Sequence, residues 1–250
     1  MDVNHDLYLA KTIASRADTE TMESYEEHLP RYESLGFTYV PIPSADAYFD
    51  RAAEELCDIV AEQYLDSETT IAEALHRLQR QPFLLFRPSD TPAHSEGRRP
   101  EDETEQRGYR IVTVADLNRR EVKSMLYTLI AELESRLARR IRRTYDSTDL
   151  LSEVGEDTVD YWESARDDGL EIHIVDRMYL SEMKQVFRNS DRLVAQSAFD
   201  SGNQFQQQLR GLVDLRHTVM HPAQTLVRDQ QDVEQLAGRV DRIEEAIQQV

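Results

Sequence analysis

Lysine is nearly missing from this chain. Only Lys11, Lys123 and Lys184 occur, so the 29 basic residues include 26 arginines (29 − 3). Acidic residues number 48, and the formal charge is −19. So negative a chain works against broad, non-specific binding to nucleic acid, itself a polyanion. A local basic site stays open. An acidic, lysine-poor surface is the composition of a cytosolic protein from a high-salt cell, where screening shortens the field to about 3 Å at 1 M salt. Cysteine is the next scarcity. Cys57 alone cannot close a disulfide within the chain or build a cysteine zinc site. It falls in an apolar helical pattern with Leu56, Ile59 and Val60, as a small core filler. No run approaches eighteen apolar residues, and the start, Met-Asp-Val-Asn-His-Asp, lacks the basic-then-apolar order of a signal peptide. A cytoplasmic protein with no membrane span is expected. His5, His28, His76, His94 and His173 are scattered without metal-ligand spacing, and no metal site is expected.

Residues 1–35 are polar and charged and read as a partly helical arm, with Glu20–Ser34 as a solvated face or mobile segment. Phe37–Pro43 reads as a short extended piece closed by prolines. Ala45–Leu65 shows a helical repeat through Phe49, Ala52, Ala53, Leu56, Ile59, Val60 and Tyr64. Thr70 and Glu73 have capping-box spacing before a helix with Ile71, Ala74, Leu75 and Leu78 on one side. Phe83–Phe86 and Tyr109–Val114 read as strands. Between them, residues 87–108 hold three prolines, many acids and little that is apolar, the pattern of a mobile acidic loop.

The series helix, strand, loop, strand, Asp-Leu over 36–117 resembles a CBS domain. Ile111-Val112-Thr113-Val114-Ala115-Asp116-Leu117 carries the likeness. The resemblance implies an α+β fold and places Thr113 and Asp116 where family members touch the phosphate and ribose of an adenine nucleotide. Arg110 stands where the family has glycine, and one copy is present rather than the usual tandem pair. A single copy implies pairing with another chain. The residue-level alternative is that Thr113 and Asp116 cap the helix that follows.

From Asn118 the chain reads as an all-α bundle over 118–250. Val122, Met125, Leu126, Leu129, Ile130, Leu133, Leu137 and Ile141 keep helical spacing over more than five turns. That helix ends in Arg136, Arg139, Arg140, Arg142 and Arg143. Arg136, Arg139, Arg140 and Arg143 are candidates to attract RNA phosphates; equally, they suit a helix C-terminus and a solvated face. Helices are also expected from Leu180, from Asn203 or Gln204 through Met220, and from Asp229, the last with a stripe of Val233, Leu236, Ala237, Val240, Ile243 and Ile247.

Between the last two helices stands Leu215-Arg-His-Thr-Val-Met-His-Pro222. Pro222 disfavours helical geometry at the residue before it, so His221 is expected to leave the helix. Arginine offers a fork of donors for phosphate oxygens, and histidine moves protons near neutral pH. The structural alternative is a histidine that only caps a helix end. Arg216, His217 and His221, placed before the last helix of such a series, resemble the Arg-x4-6-His motif of the HEPN superfamily, which has a polar residue after the arginine. The resemblance implies a metal-independent endoribonuclease without a cofactor, working by 2′-OH attack on RNA in the cleft of a homodimer, with Arg216, His217 and His221 catalytic. A toxin or defence effector regulated by the CBS-like half would fit. The alternative is a non-catalytic dimer that binds RNA or a nucleotide.

Overall fold

The computed structural model describes residues 8–88 and 108–250. The acidic loop expected over 87–108 lies almost wholly outside them. The chain is mixed α+β with a C-terminal helical region. Two compact units form: one from described residues up to Val122 plus Thr225–Ala237, the other from Lys123–Gln224 and Gly238–Val250.

The first unit holds two sheets. Strands β1 (Ser15–Arg16), β5 (Tyr64–Leu65), β6 (Leu84–Phe86) and β7 (Arg110–Val112) make one, in the order β1-β7-β6-β5. Strand β6 runs parallel to β5 and antiparallel to β7. All three residues of β6 are buried, as suits an apolar central strand covered on both faces. Helix α2 (Ile71–Leu78) connects β5 to β6. Thr70 Oγ1 accepts the Glu73 N–H at 3.1 Å, a cap that stabilises a helix by about 1 kcal/mol. Its expected stripe, Ile71, Ala74, Leu75 and Leu78, is wholly buried.

The second sheet overturns one expectation. Ala45–Leu65 is not a helix; β2 (Tyr39–Ile42), β3 (Ala47–Asp50) and β4 (Glu55–Asp58) form an antiparallel meander. The turn lacks glycine, yet Asp50 Oδ1 accepts the N–H groups of Ala52 (2.8 Å) and Ala53 (3.2 Å), and Glu54 takes a left-handed φ of 56°. Tyr48 then packs edge-on against Phe83, with ring centroids 5.2 Å apart. Aromatic packing and local turn chemistry override the helix propensity of Arg-Ala-Ala-Glu-Glu. Cys57 lies opposite Tyr48 in β4, half-buried, while Leu56 and Val60 are exposed. It is therefore not a filler of a helical core.

The segment 20–34 is tethered rather than mobile or evenly solvated. Helix α1 (Tyr25–Ser34) buries Tyr25 and Tyr32. The Glu20 carboxylate accepts hydrogen bonds from Ser24 (2.6 Å), Tyr32 (2.9 Å) and His28 (2.9 Å). Burial pushes its pKa up, but these three hydrogen bonds and the nearby imidazole outweigh burial and hold it below the usual carboxylate range. A carboxyl depressed in the folded state stabilises fully above its unfolded value, about 4.3, and loses that effect as pH falls through the folded value. Glu20→Gln is expected to lower stability at neutral pH by about 1–3 kcal/mol. Urea unfolding should show the gap to wild type narrowing as the pH drops below about 4.

Asn118 clips the later segment of this unit to the earlier one. Its side chain donates to the Val227 carbonyl (2.7 Å) and accepts from the Leu226 (2.8 Å) and Val227 (3.1 Å) N–H groups. Gln230 donates to the Leu78 carbonyl.

The second unit is helical: the greater part of α3 (Arg120–Thr144), then α4 (Glu156–Asp167), α5 (Leu180–Asn189), α6 (Asp191–Ala195), α7 (Gly202–Gln208), α8 (Leu212–Met220) and the C-terminal half of α9 (Gln230–Gln249). The expected α3 stripe is buried at every position. So is the α9 stripe, and Asp229 caps α9 by accepting the Asp232 N–H at 3.0 Å. Trp162 is buried and donates to the Ile172 carbonyl at 3.0 Å. Phe187, Phe199 and Phe205 form an aromatic cluster. One glycine is required by space: a Cβ on Gly202 would stand 1.9 Å from the Arg188 carbonyl oxygen. The helix expected from 203 to 220 is broken into α7 and α8 by Gly211, whose φ of 74° lies in the left-handed region where glycine is favoured.

Candidate functional site

The break at Gly211 sets the start of α8, and Pro222 sets its end. His221 adopts extended backbone (φ −104°, ψ 100°), while its N–H still donates to the His217 carbonyl at 3.2 Å. His217 and His221 are four apart, hence stacked along one side of the last turn. Their ring centroids are 4.2 Å apart and both side chains are exposed. The helix end thus presents two adjacent imidazoles to solvent.

Arg216 turns elsewhere. Its Nε lies 2.8 Å from Glu134 Oε1 on α3. The two are close but misaligned: this buried carboxylate oxygen accepts no well-formed hydrogen bond. The contact is an ion pair without the linear N–H···O geometry of a strong bridge. Among the described residues, no hydrogen bond or ion pair joins Arg216 to either histidine. The structure therefore brings His217 and His221 together and places Arg216 beside Glu134.

Two lysines, unassigned by the sequence reading, fix α8 at both ends. Before it, Lys184 Nζ donates to the Leu209 carbonyl at 2.7 Å. Burial lowers the pKa of this ammonium, with Asp214 opposing. After it, buried Lys123 donates to the carbonyls of His221 (3.3 Å), Pro222 (2.8 Å) and Gln224 (2.6 Å). An ammonium is a compact charge with three donors, which suits three converging carbonyls better than a planar guanidinium. The sequence signal was rarity: among 26 arginines (29 − 3), these are two of three lysines. Lys123→Met keeps the apolar stem and removes the three donors. It is expected to cost about 1–3 kcal/mol in urea unfolding, with faster amide exchange at Gln224.

The nucleotide candidates Thr113 and Asp116 are committed internally. Asp116 Oδ2 accepts from the Thr113 N–H and hydroxyl, both at 2.9 Å, and Oδ1 accepts from Ser15 and Arg119, both at 3.0 Å. This network joins β1, the end of β7 and the short 3₁₀ turn Val114–Asn118. The four arginines divide. Arg136 donates to Glu132 and to the Ile247 carbonyl, each at 2.7 Å, and Arg140 donates to the Gln196 and Val250 carbonyls. Arg139 and Arg143 are exposed and make no hydrogen bond or ion pair with a described residue.

The chain matches no family model, no curated protein and no solved structure. Paired, exposed imidazoles on a fixed backbone can take up and release protons at a shared substrate, and a neighbouring guanidinium can bind a phosphate. No described helix is long and apolar enough to cross a membrane.

Proposed function

We propose that Arg216, His217 and His221 form the cleaving site of a metal-independent endoribonuclease of HEPN type, acting as a homodimer. The observation that carries this reading is the pair of exposed imidazoles 4.2 Å apart, with the backbone of the second pinned by Lys123. The ribose 2′-oxygen forms a bond to the adjacent phosphorus while the bond from phosphorus to the 5′-oxygen breaks. One imidazole accepts the 2′-OH proton, and an imidazolium returns a proton to the leaving 5′-oxygen. His221 acts as base or acid, and His217 positions the phosphate or supports it. Arg216 stabilises the charge gathering on the phosphorane, its guanidinium moving from Glu134 to the phosphate.

The N-terminal half, on the same proposal, is a single CBS-like unit that pairs with another chain. The parallel strands β5 and β6 connected by α2, followed by antiparallel β7, support it. A second reading, a dimer that binds RNA or a nucleotide without cutting, is favoured by one feature. Arg216 is already partnered by a carboxylate.

The deciding experiment is digestion of a mixed RNA pool in high salt with EDTA, wild type against His221→Ala. Cutting by wild type alone, leaving 2′,3′-cyclic phosphate and 5′-OH ends and sparing DNA, is the expected result. An intact pool after incubation with folded wild-type dimer would reject the nuclease and leave the binding module.

A further inference from the structure

The basic end of α3 borders a cavity of about 350 Å³, lined by Glu132, Arg136, Arg139, Arg140, Arg143 and Gln196, with Val250 at its edge. In a chain of charge −19, four arginine side chains here share the lining with one acidic side chain. The four differ in a way that matters. Arg136 and Arg140 are held by backbone carbonyls of Ile247, Gln196 and Val250, so their positions are fixed in advance. Arg139 and Arg143 carry their charges into the same cavity without a partner among the described residues. Glu132 is committed to Arg136 Nε at 2.7 Å, so it neutralises a guanidinium that is already bound rather than one of the open pair.

Gathering four like charges at one place costs electrostatic energy, which a bound anion relieves. The helix dipole accounts for cations near a helix end, but not for two unpaired guanidinium groups aimed into a shared cavity that two others wall in. The volume falls at the small end of ligand clefts, roughly 300–1,000 Å³, and suits a compact anion better than a length of polymer. Guanidinium forks match phosphate oxygens in pairs. Two open forks suit two linked phosphates.

We propose that Arg139 and Arg143, in the cavity walled by Arg136 and Arg140, bind a compact oligophosphate, such as the diphosphate portion of a small molecule. This site is separate from the proposed RNA-cleaving residues. Arg139 and Arg143 follow Glu134 by five and nine positions on α3, so they point about 140° and 180° away from it around the helix axis. The binding site does not depend on whether the protein cuts RNA.

The test is isothermal titration with inorganic pyrophosphate at fixed ionic strength, on wild type, Arg139→Gln/Arg143→Gln and His221→Ala. Both arginines are exposed and unpartnered among the described residues, so the double variant should keep the wild-type melting temperature without ligand. Saturable binding is expected for wild type and His221→Ala, weakened about tenfold or more in the double variant. No saturable binding by wild type, or equal binding by the double variant, would overturn the site. So would capture of single-stranded RNA through these arginines with pyrophosphate ignored, which would make the cavity part of an RNA track. Absence of RNA cleavage by wild type, with its pyrophosphate binding intact, would reject the nuclease reading alone.

Discussion

His221→Ala should slow RNA cleavage by about 10²–10⁴-fold, the usual contribution of a positioned acid or base. The fold should hardly change, because the side chain is exposed and its described neighbour is the His217 ring. Loss of a helix-end imidazole costs at most about 1 kcal/mol at such a surface position. Stability and activity should therefore separate cleanly. Arg216→Ala should remove about 10²–10³-fold through the charge it no longer offers the phosphorane, and it also deprives the Glu134 carboxylate of its guanidinium. Arg216→Lys restores charge but not the fork, so it should recover only part of that loss. A 2′-deoxy-blocked oligonucleotide, which none of these proteins should cut, provides the chemical control. A His221→Ala protein that cuts at the wild-type rate would remove the histidine from the mechanism.

Phe205→Ala should destabilise the protein by about 3–5 kcal/mol, the range for deleting a buried aromatic ring. Phe205 is fully buried, stacked on Phe187 at 4.3 Å and edge-on to Phe199 at 5.1 Å. Helix α7 is short and carries this ring as its buried residue. Removing it releases α7 from α5, where both Phe187 and the Lys184 that fixes the Leu209 carbonyl are found. Phe205→Leu fills much of the space and should cost less than about 2 kcal/mol. Guanidinium unfolding of the two variants reads the difference; equal costs would mean that refilling the volume recovers nothing and that the ring contacts carry the whole effect.

The legible parts of the sequence were those where one local rule acts alone. The α3 and α9 stripes follow from spacing, and Thr70 reveals its cap through Glu73 three residues later. Pro222 forces His221 out of the helix, and the backbone there is extended. The illegible parts depend on distant groups. Nothing local turns Ala47–Asp58 into a hairpin, since Tyr48 needs Phe83 to reward it. A single glycine at 211 within a strong apolar pattern reads as tolerated, yet its left-handed φ ends one helix and starts another. Glu134 lies far from Arg216 in sequence, and Lys123 lies far from the carbonyls it gathers. Arg216, His217 and His221 stand out by residue type, but the groups that hold or neutralise them do not.

The interleaving of the two units has a consequence for how the chain is made. The polypeptide passes from one unit to the other at 122/123, returns at 224/225 and leaves again at 237/238. At about 5–20 residues per second, a ribosome releases Asn118 on the order of ten seconds before Val227, its hydrogen-bonding partner. Helix α9 supplies apolar side chains to both units, Val233 and Leu236 to one, Val240 and Ile243 to the other. Until it emerges, a nascent chain has neither core complete and leaves apolar stripes open to self-association. A premature stop codon before α9 should thus damage both halves together, and neither half can be released early to fold while the other is still being translated.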